Sequence, residues 1–97
     1  MILKKQYADG KEILSIIDDD LLEKRFEEGN KILDFSSDFY KGEKKTRREL
    51  KKEIMSAYII NAAGKKTISF LSELKLIDNK SIKFINKIPY TNLLLIK

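Results

Sequence analysis

The chain has no cysteine, no histidine and no tryptophan, and it carries one proline and four glycines in 97 residues. Without cysteine there are no disulfides, no thiolate metal ligands and no thiol nucleophile. Without histidine, the usual general base near neutral pH and the commonest transition-metal ligand are both missing. Long apolar runs are lacking too. MSAYIINAA, residues 55–63, is about half the ~20 residues that a bilayer-crossing helix needs. The chain opens MILKK rather than with a basic segment followed by a long apolar one. These absences predict a cytoplasmic chain with no membrane association, no metal and no cofactor, and they argue against most enzyme classes.

What is present suits a small folded domain. Hydrophobic residues make up 42% and charged residues 36%, which is too apolar for disorder and too charged for a membrane protein. At this length, one domain spanning residues 1–97 with one small core is expected. Residues 2–8, ILKKQYA, read as a strand, Asp9-Gly10 as a tight hairpin turn, and KEILSIID as the return strand. Both faces of that return strand are apolar apart from Ser15, which predicts a position inside the sheet.

DDDLLEKRFEEG, residues 18–29, reads as a short helix capped by Asp18 or Asp19, with Leu22 and Phe26 inward and Gly29 just past its end. KILDFS reads as a third strand, and SDFY as a loop or single turn capped by Ser37. Thr46 and Glu49 form a T-x-x-E capping box, so a helix starts just after Thr46. The stripe Leu50, Ile54, Ala57, Asn61, Gly64, Ile68 predicts that this helix runs on to Gly64, which ends or bends it. KKTISFLSELKLI then forms another helix or a continuation of the first, stopped at Asp78-Asn79. SIKFINK and TNLLLIK close the chain as strands, with Pro89 at a break or an edge. Tyr7, Phe26, Phe35, Phe70 and Phe84 fall on faces predicted to point inward. The fold expected is α+β: a mainly antiparallel sheet opened by the N-terminal hairpin, joined by C-terminal strands, and covered by helices between 46 and 76.

In this order of landmarks, LLEKRFEEGNKILDFSSDFYKGE, IMSAYIINAAGKKTISFLSELKLID and INKIPYTNLLLI resemble the archaeal domain of unknown function 424 family. The most specific parts are Phe26 to Gly29, the stretch Asp38-Phe39-Tyr40-Lys41-Gly42, and Asn61 to Gly64 followed by Leu76-Ile77-Asp78. The resemblance implies a compact α/β domain in the cytoplasm with no assigned activity, encoded near genes of translation and the ribosome. Relatives often carry a histidine after the proline near the C-terminus, where this chain has Tyr90. The basic run at 44–52 is also stronger here than the segment usual for the family.

That run supplies the candidate site. KGEKKTRRELKKE, residues 41–53, holds seven basic and three acidic side chains, a net of +4 in a chain of formal net charge +5. Lys44, Lys45, Arg48, Lys51 and Lys52 share about half of the predicted helix circumference, with Arg47 at its margin, so that a phosphate backbone meets several at once, and Tyr40 and Phe39 lie just ahead to stack on an unpaired base. The competing readings are a solvated helix face with Glu49 and Glu53 pairing to nearby lysines, and the docking surface of an acidic protein partner. The reading carried forward is a non-enzymatic accessory protein contacting RNA or the ribosome; the alternative is a protein-interaction module.

Two further motifs read as structural. The three aspartates at 18–20 suit a hard cation by chemistry, but consecutive carboxylates diverge, and helix capping explains them better. Gly64-Lys65-Lys66-Thr67 ends like a P-loop, yet it lacks the upstream glycine and is expected to follow a helix rather than a strand.

Overall fold

The computed structural model describes residues 1–36 and 40–95. Strands β1 (Ile2–Ala8) and β2 (Lys11–Ile17) are joined by Asp9-Gly10, whose φ values of 53° and 74° make the I′ turn that matches strand twist. The same turn recurs without glycine between β7 (Lys83–Ile85) and β8 (Ile88–Leu94), where Asn86 and Lys87 have φ of 48° and 67°. Between them in sequence come β3 (Arg25–Glu28), β4 (Lys31–Asp34), the short β5 (Glu43–Lys44), helix α1 (Arg47–Ile54), β6 (Ile59–Ala63) and helix α2 (Lys65–Glu73).

Six strands form one sheet in the order β5-β1-β2-β6-β8-β7, while β3 and β4 pair as a separate hairpin. Every neighbour pairing in the large sheet is antiparallel except β2 with β6. One face of the sheet is sealed by the helices: Leu14, Ile16 and Ile60 pack against Leu50 of α1 and against Phe70 and Leu71 of α2. On the other face Ile2, Ile17 and Ala63 meet Leu21 and Phe35, with Leu33 of β4 and Tyr40 beside them. The α+β architecture, the N-terminal hairpin and the helical cover therefore stand as the sequence predicts; two strands also close the chain, but their turn is Asn86-Lys87, inside the expected strand SIKFINK, and Ile88-Pro89-Tyr90, expected between the strands, belongs to β8. β2 lies inside the sheet, as its two apolar faces require.

Four expectations are corrected. Residues 18–29 form no helix: Asp19–Leu21 make one 3-10 turn, and Arg25–Glu28 are a strand. The Gly29-Asn30 pair is the turn to β4, with Gly29 at φ 62°, so a glycine read as a helix end is a hairpin corner. Helix α1 stops at Ile54 rather than running to Gly64, because Ile59–Ala63 is a central strand flanked by β2 and β8. A short apolar run fits a doubly covered strand as well as a helix, and here the parallel pairing to β2 decides it. Tyr7 and Phe84 point outward, 67% and 54% exposed. Ser37, expected to cap a turn, lies outside the described residues, as do Asp38 and Phe39.

Helix α2 begins where expected but ends at Glu73, before Asp78-Asn79. Lys75 takes φ 60°, its N–H donates to Ser72 O, and the Leu76 N–H donates to Leu71 O. That is a Schellman closure with lysine in the left-handed position, held by packing of Leu71 and Leu76 in the same cluster. Pro89 sits in β8 beside the end of its ladder with β6, where its carbonyl accepts from Gly64 N. Its missing N–H therefore costs one bond at a ladder end and does not break the strand.

Candidate functional site

Helix α1 is set by the capping box that the sequence predicts. The Glu49 N–H donates to Thr46 Oγ1 at 3.2 Å, and the Thr46 N–H donates to the Glu49 carboxylate at 3.0 Å. The Thr46 backbone bond holds the Glu49 carboxyl below its usual value. With its start fixed in this way, the helix has a fixed rotation, and that rotation sorts the basic residues into two sets.

The first set is paired. Lys45 lies 3.1 Å from Glu43 and 3.9 Å from Glu49, and the hydrogen bond that it donates to Glu43 raises its pKa. Arg47 pairs with Glu73 of α2, and its guanidinium stands 5.6 Å from the Phe70 ring centroid. Lys44 comes within 3.8 Å of Asp19 but stays 80% exposed. The second set is Arg48, Lys51 and Lys52, exposed and making no ion pair among the described residues. They follow at i, i+3 and i+4 and so share a stripe, continued at i+7 by Met55, which is 78% exposed. The helix's acids turn elsewhere. Glu53 faces β1, 2.6 Å from Lys5, which also lies 3.7 Å from the buried Glu12. The Glu53 hydrogen bond is the main reason that the Lys5 pKa is raised. The outward stripe of α1 is thus positive, with Glu49 at its margin, near enough to Lys52 to feel its charge.

Tyr40 does not join this surface. It is half-buried in the layer on the other face of the sheet, its ring edge-on to Phe35 at 5.0 Å and 79°. Burial pushes its phenol above the usual value. The aromatic platform expected beside the basic run therefore lies across the sheet from α1, and Phe39 lies outside the described residues.

Gly64-Lys65-Lys66-Thr67 does follow a strand, β6, and opens helix α2, contrary to the expectation from sequence. The anion position at that helix start is nevertheless filled from within. The Asp18 carboxylate accepts from Lys66 N at 3.0 Å, and from Thr67 N and Thr67 Oγ1 at 2.8 Å each. Gly64, at φ 107°, has that carboxylate where a Cβ would stand. A helix N-terminus attracts anions, and here a buried carboxylate already takes the place of a phosphate. Asp18 thus caps α2, the second helix, and not the 3-10 turn that follows it in sequence. Among the described residues no group of three or more His, Cys, Asp or Glu converges as a metal site, and no helix is long and apolar enough to cross a membrane.

The face opposite the helices holds a cleft that sequence reasoning missed. The pairing registers align three rows of side chains across it, since directly opposed residues project to the same side. One row runs Ile2, Ile17, Ala63, Tyr90, Lys83; the next Lys4, Ser15, Asn61, Asn92; the third Gln6, Ile13, Ile59, Leu94. The β3–β4 hairpin with Phe35 and Tyr40 covers only the first row. Beside it opens a cleft of about 270 Å³ lined by Phe35, Tyr40, Tyr90, Asn61 and Asn92. Asn92 Nδ2 donates to Asn61 Oδ1 across the two strands. In the sequence, Asn61 reads as an ordinary helix position; its meaning rests on β6 being a strand.

A six-stranded mixed sheet with two helices on one face and a hairpin on the other defines a small α+β domain. The chain belongs to the family described as "Protein of unknown function (DUF424)", which it matches over residues 6–96. It is also similar to the crystal structure of an uncharacterized conserved protein from Methanopyrus kandleri, with a TM-score of 0.80 and 21% identity over 99% of this chain and 93% of that one. At that identity the likeness establishes the fold. No curated protein matches the chain.

Proposed function

We propose that this chain is a non-catalytic accessory protein that contacts the phosphate backbone of RNA through the outward stripe of α1. The observation that carries the reading is the sorting of charge on that helix. Glu53 turns to Lys5, and Glu49 to Thr46 and Lys45, which leaves Arg48, Lys51 and Lys52 as exposed neighbouring cations with no ion pair among the described residues and with Glu49 at the margin of their stripe. Three such groups at helical spacing suit successive phosphates, give little sequence preference and release counterions on binding. The family's association with translation genes makes ribosomal RNA the first RNA to try. The lack of histidine and cysteine supports a binding role over catalysis.

The test is a titration of fluorescent ribosomal RNA fragments at several salt concentrations, with the wild type beside the variant Arg48→Gln/Lys51→Gln/Lys52→Gln. Loss of these contacts is expected to weaken binding and to flatten the slope of log K against log salt by about 2–3. Arg47→Gln, which removes a paired arginine, is expected to change the slope much less. If the triple variant binds like the wild type, the stripe is a solvated helix face and the proposal is wrong.

One observation favours a second reading, a protein-interaction module. Lys45 N donates to Met1 O, which sets the alternation of the β1–β5 ladder and turns the N–H and C=O of Lys5 and Tyr7 to the open edge of β1. β5 pairs with Ile2 and Leu3 and leaves the rest of that edge for an added strand. A protein that stays bound after nuclease treatment and is released by Tyr7→Pro would favour this reading.

A further inference from the structure

We propose that the cleft opposite the helices binds a single unpaired nucleobase, stacked on its aromatic lining and read at its edge by the amides of Asn61 and Asn92. The proposal is independent of the α1 stripe, which lies on the other side of the sheet.

Three observations carry it. The first is shape. About 270 Å³ is just below the roughly 300–1,000 Å³ of pockets for drug-sized ligands, so the cleft takes one small planar group. The second is the wall. Phe35 is buried and braces Tyr40 edge-on, while Tyr40 and Tyr90, both partly exposed, line the cleft, and unpaired bases bind by stacking on such rings. The third is hydrogen bonding. An asparagine amide offers two N–H donors and a carbonyl acceptor. The bond from Asn92 Nδ2 to Asn61 Oδ1 orients both amides and uses one donor and one acceptor site. Asn61 keeps its donors, and Asn92 keeps its carbonyl oxygen, so a donor and an acceptor stand side by side on adjacent strands. That is the pattern an amide uses to read a base edge.

The setting favours a nucleotide over another flat ligand. Lys83 is the cross-strand partner of Tyr90, and Lys4 lies at the far end of the asparagine row. Neither lines the cleft itself; Lys83, on the strand next to Tyr90, is the nearer cation for the phosphate attached to the base. The amide pair also has no evident role in packing: Asn92 is exposed, Asn61 is half-buried, and the apolar Ile13, Ile59 and Leu94 continue the same open face.

The experiment is a titration followed by the side-chain amide signals of Asn61 and Asn92 in nitrogen-15 NMR spectra. The probes are the four ribonucleosides, which carry no phosphate, then the nucleoside monophosphates, then single-stranded RNA tetramers. Shifts at both amides on adding at least one nucleoside are expected, with tighter binding of the monophosphate if Lys83 or Lys4 contributes. A tetramer that binds more tightly than its monophosphate would identify an RNA strand as the source of the base; equal affinities would identify a free nucleotide. Asn61→Asp, of nearly equal size, replaces donors with acceptors and should weaken binding at least about tenfold. Tyr90→Leu should weaken it similarly, and unchanged backbone spectra would show that both variants fold. The α1 triple variant should bind nucleosides like the wild type, so failure of the phosphate-contact reading leaves this result unaffected. Absence of amide shifts with every probe at millimolar concentration, or unchanged affinity in both cleft variants, would overturn the proposal.

Discussion

The two faces of the central sheet are built from the same strands and meet different fates. On the helix side, Leu14, Ile16 and Ile60 are fully buried under α1 and α2. On the other side, a hairpin with a few flanking residues covers one row, and beyond it lie Asn61, Asn92 and the half-exposed Leu94. Covered strands hold aliphatic side chains because each buried methylene stabilises the fold, and polar groups without partners there are costly. An open half-face relaxes that demand. It is where this fold has room for groups kept for binding, whereas on the helix side a binding surface has to lie on the outside of α1.

The contrast can be broken most severely by truncation in the sealed layer. Leu14→Ala is expected to cost about 2–5 kcal/mol, and Leu94→Ala about 0.5 kcal/mol. Urea unfolding of the two variants checks this, and similar losses would mean that the open face is covered in solution. A smaller effect is expected where one face turns into the other, at Gly64. Gly64→Ala adds strain at φ 107° and displaces the Asp18 carboxylate that caps α2, a cost of about 2–3 kcal/mol. Gly10→Ala, at φ 74° with open space around it, is expected to cost about 1 kcal/mol. Thermal unfolding would rank the pair, and the reverse order would contradict the role assigned to Asp18.

Thr46→Ala is expected to lower stability by about 1 kcal/mol through loss of the α1 cap. The smallest effect is the pH dependence of the same box. The folded state lowers the Glu49 pKa from its usual 4.5, so its contribution is present above that value and is lost as pH falls through the lowered one. Glu49→Gln should therefore be less stable than wild type at pH 7 and should converge with it once the pH has fallen below the lowered Glu49 pKa, where both side chains are uncharged. A gap that persists in acid would show that the charge of Glu49 is not what stabilises the helix start.

The parts of the fold legible beforehand were those written in adjacent residues. Asp9-Gly10 specifies its hairpin, and Thr46 with Glu49 specifies the start of α1, because a turn or a cap needs only a few consecutive groups. The Ile59–Ala63 run misled for the opposite reason, since its periodicity fits a helix and only its neighbours make it a strand. As a helix, the run would give Asn61 no partner on β8, so nothing in the sequence marks the cleft. Composition marks the basic residues, and the pairing of Lys45 with Glu43 and Glu49 is local, but the pairing of Arg47 depends on Glu73, 26 positions away, a contact that no local pattern announces.

The sequence by itself determined the class of the fold, the N-terminal hairpin, the capped helix and the excess of cations on one segment, because these follow from local turn chemistry, charge and hydrophobic content. Only the tertiary structure decided that β6 lies between β2 and β8, that Asp18 fills the start of α2, and that Asn61 meets Asn92. Each joins residues about 30 or more positions apart, and such contacts form because apolar layers must be covered, a requirement met by the whole chain rather than by any one stretch of it.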